Sequence, residues 1–411
     1  MLDTKKIKKD FPIFERYEKA HGKPLVYLDS AATSQTPRQV VEAMDEYYYG
    51  YRSNVHRSPY DIGAEATSAY EAARETIARF IGAKGGEMAF TSGATGSANM
   101  LALMLGRELK LRAGDELLAS IAEHHSNFVP FQELAKAKGA SFKTIPIRGA
   151  DLDYEAAARL ISERTKLVTL PLAGNVLGTV HDLSPLIRKA KAVGALTIVD
   201  ATKAAGHMPI DVKKLGADFL FFSGHKMLGP TGIGVLYGRR EFLEALTPAF
   251  SGGGTVEKVT AEHSSYKTSP LKFEAGTPNV AGAIGLAHAV AYLEALGVEN
   301  VQRHTEELVR SAVERLSRVK EVRIISEKDE KKNIGIVSFV VEGMHPHDVA
   351  ELIGREGVAI RGGHHCAMPL MASLGVPGVC RASFYIYNGE RDIVALVTSV
   401  EKAIAAFKQH G

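Results

Sequence analysis

From about residue 86 the chain repeats one pattern, a short apolar run followed by a longer amphipathic stretch. EMAFTS (87–92), DELLASI (115–121), SFKTIPI (141–147), TKLVTLPLA (165–173), ALTIVD (195–200), DFLFFS (218–223) and GIGVLYG (232–238) read as strands. A stretch from Gly96 to about Lys110, VPFQELAKAKG (129–139) and SPLIRKAKAVG (184–194) read as helices. The last has Pro in its first turn and Gly at its end, as a helix of that length should. Strands that alternate with helices pair in parallel through crossovers, so the predicted fold class is α/β with a mostly parallel, doubly wound sheet. A strand as apolar as TKLVTLPLA is expected to be buried on both faces. In such sheets ligands sit beyond the carboxyl ends of the strands. Polar residues that directly follow a buried strand are therefore the first candidates for function.

After about residue 280 the pattern changes. Residues 281–297 and 301–319 read as long helices, 333–341, 358–363 and 381–387 as strands, and 389–409 as a last helix. The expected division is a large domain over 21–285 and a smaller α+β domain over 286–411, joined by the N-terminal arm 1–20. A chain of 411 residues has room for both.

Composition excludes several classes. Apolar residues make up 45% and charged residues 24%, and the net charge is +3. That is neither disordered nor basic enough to predict a nucleic-acid partner. The only two cysteines, Cys366 and Cys380, cannot build a disulfide scaffold or a four-cysteine zinc site. The N-terminus lacks an apolar leader and no run of about 18 residues is apolar throughout, so the expected compartment is the cytoplasm, with no membrane partner.

The candidate chemistry lies at the strand ends. Asp200 closes ALTIVD, where a carboxylate either caps the next turn or faces a ligand. Lys226 follows DFLFFS in SGHK (223–226), beside Ser223 and His225 and before GPTGIG. A lone Lys is usually a solvated surface group. One sunk in a ligand crevice has a lowered pKa and becomes a nucleophilic amine. A Lys that forms a Schiff base and an Asp that pairs with a pyridinium nitrogen are the two groups that a pyridoxal phosphate enzyme needs. SGATGSAN (92–99) joins a strand to a helix with small residues, which lets backbone N–H groups and Thr95 approach an anion. The spacing matches neither a dinucleotide fingerprint nor a P-loop. His124 in EHHSN (123–127) is placed to stack on a planar group or simply to close its loop. Cys366 lies in the polar segment RGGHHCAMPLM (361–371), read as a mobile loop with a partly ionised, reactive thiol. Adjacent His364 and His365 lack zinc-site spacing, so no metal is expected. Arg381 can hold a carboxylate in a fork, and Cys380 reads as a packing residue.

Together these segments resemble the class V pyridoxal-phosphate-dependent aminotransferase-fold family, and within it the SufS-type cysteine desulfurases. The resemblance runs from YLDSAAT (27–33) through VHR (55–57), EHHSN, NVLGT (175–179), VDAT (199–202), SGHKMLGPTGIG (223–234) and FEAGTPN (273–279). It ends on RGGHHCAMPLM and CRASFYIYN (380–388). The short GHHCAMP loop is what points to the SufS branch.

The resemblance implies a fold type I enzyme with pyridoxal 5′-phosphate, a homodimer acting on L-cysteine or L-selenocysteine, and a sulfur-acceptor protein of iron–sulfur assembly as partner. Lys226 should carry the cofactor, Asp200 pair with its ring nitrogen and His124 stack on the ring. Ala94, Thr95, Ser223 and His225 should surround the phosphate, joined by Gly276 and Thr277 from the other subunit. Arg381 should clamp the substrate carboxylate, with Asn175, His56, Arg57 and Ala31 nearby, and Cys366 should take the sulfur as a persulfide. Two departures stand out. Ala94, Thr95 and Gly96 replace a pair of threonines and a Glu, and Lys203 stands where a Gln usually faces the cofactor's phenolic oxygen. An ammonium at Lys203 would be a charged donor there. The rival readings are a selenocysteine lyase, an aminotransferase-like enzyme, and an inactive cofactor-binding sulfur carrier.

Overall fold

The computed structural model describes residues 1–410. Its centre is a seven-stranded sheet. In spatial order the strands are Met88–Thr91, Gly234–Gly238, Phe219–Ser223, Leu196–Asp200, Thr165–Pro171, Glu116–Ser120 and Ser141–Ile145. Gly234–Gly238 runs antiparallel to both of its neighbours, and every other adjacent pair is parallel. The fold is therefore the α/β class expected from the sequence.

Both sheet faces are covered, which explains the nearly unbroken apolar strands. Side chains alternate across a strand, so successive residues feed opposite cores. Leu220 and Phe222 point into one core with Val199, Val168 and Tyr70. Phe219 and Phe221 point into the other with Ile198, Leu101 and Phe131. The helices Ala94–Glu108 and His125–Lys138 cover that second face. The helix His125–Lys138 begins four residues earlier than its amphipathic pattern suggests, because His124 caps it: the Nδ1 of His124 accepts the N–H of Ser126 at 3.1 Å.

A second sheet, ordered Val322–Ile324, Ile336–Val341, Val379–Ser383 and Arg361–Gly363, is antiparallel throughout. With the helices Val298–Leu316, Pro346–Arg355 and Glu390–His410 it encloses a separate core around Val337, Phe339, Leu308, Ile353 and Leu396. Cys380 is buried in that core, which pushes its thiol pKa up to about 12. The segment Phe384–Tyr387, expected to continue the strand, leaves the sheet and is buried. Tyr387 there packs on Phe11 and Phe14 of the N-terminal arm. The arm forms two short helices, Thr4–Lys8 and Pro12–His21. Its Phe11 and Phe14 belong to the large core, and its Lys8 pairs with Asp392 of the last helix at 3.2 Å. No single helix is long and apolar enough to cross a membrane among the described residues.

The hairpin of Val256–Val259 and Ser264–Tyr266 stands out from both cores, and Val259 is exposed. By contrast Phe221 sits at the centre of the large sheet, fully buried. Phe221→Ala is expected to cost about 3–5 kcal/mol of stability, read as a lowered denaturant midpoint with an unchanged slope.

Candidate active site

Four of the parallel strands end around one cavity of about 230 Å³. Its wall carries Thr95, Glu123, His124, Asn175, Asp200, Lys203, Ser223, His225 and Lys226. Each follows or ends a strand, where a doubly wound sheet leaves its crevice. Register places Pro171, Asp200 and Phe221 side by side, so the Asp200 carboxylate leaves the sheet at its edge. One turn of 3-10 helix, Gly224–Lys226, then brings Lys226 back over the same edge.

The site is rich in buried charge. Asp200 is 9% exposed, and its Oδ1 accepts only the N–H of Thr202, at 2.8 Å. Burial pushes the Asp200 carboxyl up, while the Thr202 hydrogen bond and the charges of Lys226 and Lys203 pull it down. Lys226 has its ammonium pKa lowered by burial. Lys203 is 8% exposed. Burial, then the nearby Lys226 charge, drive its pKa well below the usual lysine value. Both shifts run against the charged donor expected at Lys203. The His124 ring is pushed down to about 3, by burial first and Lys226 second, so it is neutral and apolar-faced.

The anion end is built from the helix that starts at Ala94. Gly93 precedes it with φ +132°, and the Gly234 backbone packs so closely on it that a Cβ on Gly234 would lie 2.5 Å from the Gly93 Cα. Ser223 Oγ accepts the Ala94 N–H at 2.8 Å, and the Thr95 and Ser126 hydroxyls pair at 2.7 Å. His225 Nδ1 lies 3.2 Å from the Thr33 hydroxyl, and burial pushes its pKa down to about 4.

Beside Asn175, Arg381, 2% exposed, donates to the Asn175 carbonyl at 2.9 Å and to Asp29 Oδ1 at 3.2 Å. Asn175 Nδ2 in turn donates to the His365 carbonyl at 2.8 Å, which ties the Cys366 segment to the cavity wall. Cys366 itself is exposed. The loop read as mobile is in fact anchored: His365 Nε2 lies 2.9 Å from the Val379 carbonyl, and Cys366 N–H donates to His364 Nδ1 at 3.2 Å. These bonds occupy the two imidazoles, and no cluster of three ligand side chains that could hold a metal exists among the described residues. Ala31 lines a small adjoining cavity with Lys203 and Lys226.

A profile of the aminotransferase class-V family matches residues 26–396. The chain belongs to the class V aminotransferase family. It is 45% identical over 403 residues to a probable cysteine desulfurase of Halalkalibacterium halodurans, covering 98% of each chain. A probable cysteine desulfurase of Streptomyces coelicolor is also 45% identical, over 98% of this chain and 97% of its own. Among solved structures, an apo cysteine desulfurase from Thermococcus onnurineus superposes with a TM-score of 0.93 at 41% identity, over 99% of both chains. The cysteine desulfurase CsdA of Escherichia coli, in an S-sulfonic acid form, gives 0.90 at 37% identity with the same coverage.

Class V enzymes of this kind depend on pyridoxal 5′-phosphate, and the cavity fits that group. Asn175 Oδ1, Thr202 Oγ1 and both oxygens of Glu123 are buried at its wall without a hydrogen-bond partner. Orphaned buried polar atoms of that number are uncommon unless a ligand meets them. The helix start at Ala94 suits a phosphate, Asp200 a ring nitrogen, and Lys226 an aldehyde carbon.

Four expected residues lie elsewhere in the chain. His56, Arg57, Gly276 and Thr277 are exposed and do not line this cavity. Thr277 borders a separate open hollow of about 470 Å³ with Tyr48, Arg52 and Asn54. Sequence reasoning missed Glu123, whose carboxyl is pushed well up by burial and by Asp200. The signal was present, since Glu123 opens the same EHHSN segment as His124, but a carboxylate with no nearby cation looked like an ordinary loop residue. Thr202 and Ser126 were missed because hydroxyls are common in turns.

The buried Lys203 amine has a stability consequence in the cofactor-free protein. Its pKa is lowered on folding, so the unfolded chain binds a proton that the folded chain sheds, and stability falls as pH drops below about 10.4. Lys203→Met should therefore raise the melting temperature of the cofactor-free protein by a few degrees at pH 7. The gain should shrink toward pH 10, as scanning calorimetry across that range will show.

Proposed function

We propose that this protein is a cysteine desulfurase of the SufS type, which converts L-cysteine to L-alanine and leaves the sulfur on Cys366. The observation that carries the reading is the tie between a buried Lys–Asp cavity and an exposed thiol: Asn175 lines the cavity and holds the Cys366 loop by a 2.8 Å bond. A transaminase would have no use for a thiol held there.

The bound cofactor withdraws electrons from the substrate's Cα. Lys226 would hold the cofactor, Asp200 its ring nitrogen, His124 one ring face, and Ser223, His225, Thr95 and the Ala94 N–H its phosphate. Arg381 and Asn175 orient the substrate carboxylate beside Ala31. Burial lowers the Lys226 pKa, which favours the free amine that takes the Cα proton and later returns a proton to Cβ. The Cys366 thiolate attacks the substrate sulfur. A sulfur–sulfur bond forms, the Cβ–sulfur bond breaks, and its electron pair leaves with Cβ to become the alanine methyl. L-cysteine and one thiol thus give L-alanine and one persulfide, with no other oxidant. The exposed persulfide is then handed to an acceptor protein in the cytoplasm.

The test is alanine and persulfide production from L-cysteine. Cys366→Ser should keep the cofactor and its visible absorbance while alanine formation falls by ~10²-fold or more. Lys226→Ala should lose the visible band of the lysine-bound cofactor. A Cys366→Ser variant that desulfurates L-cysteine at the original rate would exclude the reading.

The working unit is proposed to be a homodimer in which His56, Arg57, Gly276 and Thr277 of one chain complete the partner's cavity. Their shared exposure away from their own cavity supports it, as does the hairpin that leaves both cores. Mixing Lys226→Ala and Thr277→Asp subunits should restore about half of wild-type activity per mixed dimer, through one intact site, and so about a quarter in a randomly mixed sample. An active protein that sediments as a monomer would end the idea.

A further inference from the structure

His125 follows His124 in EHHSN but does not line the Lys226 cavity; it borders the groove between the helices Ala94–Glu108 and His125–Lys138. Its hydrogen bonds outside its own helix run to the Cys366 segment, some 240 residues away in sequence. The His125 backbone N–H donates to the Cys366 carbonyl at 2.8 Å. Its ring Nε2 accepts the Met368 N–H at 3.1 Å. Its ring lies over that of His364, with centroids 6.1 Å apart and planes 29° apart. One residue thus grips the chain on both sides of the thiol.

The grip answers a local strain. His365 and Cys366 have φ of +51° and +54°, in the left-handed region that non-glycine residues avoid. Each such residue costs on the order of 1–3 kcal/mol and persists only where its surroundings hold it. The Asn175 bond holds the His365 carbonyl, and the Val379 carbonyl holds its ring. On the C-terminal side of the thiol, the His125 ring supplies the side-chain acceptor for the Met368 N–H.

We propose that His125 is a positioning residue for the sulfur-carrying thiol: its neutral ring, accepting the Met368 N–H through Nε2, keeps Cys366 in the strained turn from which it meets the substrate sulfur. The role rests on the reading of Cys366 as sulfur acceptor. An acceptor at Nε2 places the ring proton on Nδ1. Without the acceptor the Met368 N–H is freed, the turn relaxes toward ordinary backbone, and the thiol shifts. A misplacement of about 1 Å is enough to cost ~10²-fold in rate.

The test uses the holoenzyme and two variants. His125→Phe keeps a flat ring over His364 but no acceptor, and His125→Gln restores an acceptor near the Nε2 position. Three readouts apply: the single-turnover rate of alanine formation with its KM, the visible absorbance of the cofactor, and hydrogen exchange of the Met368 amide. His125→Phe is expected to lower the rate ~10- to 100-fold with KM and absorbance unchanged, and to speed Met368 exchange. His125→Gln should recover most of both. An unchanged rate in His125→Phe, a loss of absorbance along with the rate, or a Gln variant as slow as Phe would each overturn the role. If Cys366→Ser proves as active as wild type, the sulfur reading fails and this role fails with it. If Cys366→Ser is inactive and Met368 exchange does not respond to His125→Phe, only the positioning role fails.

Discussion

Burying charge at the carboxyl edge of the sheet is the constraint around which the rest of this protein is arranged. Lys226, Lys203, Arg381, Asp200 and Glu123 crowd one small volume between apolar layers. An unpaired buried charge is expensive, so such groups neutralise or find partners. Lys203 and Glu123 shift toward the first course, the amine pushed well down and the carboxyl well up. Arg381 takes the second, held by Asp29 and the Asn175 carbonyl. Asp200 and Lys226 are left with few hydrogen bonds of their own, which is the condition of groups that await a ligand.

Such a cluster survives only on a rigid support. The strands beneath it bury both faces, with Phe219 to Phe222 alternating between two full cores. The turns above it are fixed by backbone bonds rather than by side-chain packing. Ser34 and Thr33 both bond the His225 carbonyl, and Ser223 bonds Ala94 across the sheet edge. Close approach of Gly93 and Gly234 lets the phosphate-facing helix start directly against the neighbouring strand.

Much of this was legible in the sequence because the signals were local. A continuous apolar strand that ends in Asp, or in SGHK, marks both a buried strand and what stands at its end. The same logic found His124 and the Gly-rich turn. What stayed hidden depended on contacts distant in sequence. The lowered pKa of Lys203 comes first from burial and then from the charge of Lys226, 23 residues on, and neither is written in the local pattern. The anchoring of the Cys366 loop depends on Asn175, Val379 and His125, so a polar Gly- and His-rich run looked mobile. The strand expected over 381–387 ended early because Phe384 to Tyr387 pack as a buried turn against the N-terminal arm, and an apolar run does not reveal which partner will cover it.

His56 and the turn that carries Gly276 and Thr277 are tied to a single buried cation. Arg74, 1% exposed, reaches Glu274 by two bonds of 2.6 and 2.8 Å and Glu71 by two of 2.9 and 3.4 Å. Glu71 holds His56 at 2.8 Å. Glu274, next to the Ala275–Gly276–Thr277 turn, also accepts from the Tyr70 hydroxyl and the Phe90 N–H. The guanidinium lies over the Tyr70 and Phe90 rings, 5.1 and 4.9 Å from their centroids. A planar fork is the one side chain that can satisfy two carboxylates in such a space, so lysine would not replace it. Buried pairs of this kind add little net stability against an apolar core, but removing one partner strands the other. Their physical use here is registration: the loop of His56 and the turn of Thr277 are locked to one helix, Asp61–Phe80, and therefore to each other. A buried guanidinium between two carboxylates thus couples the two segments as one body.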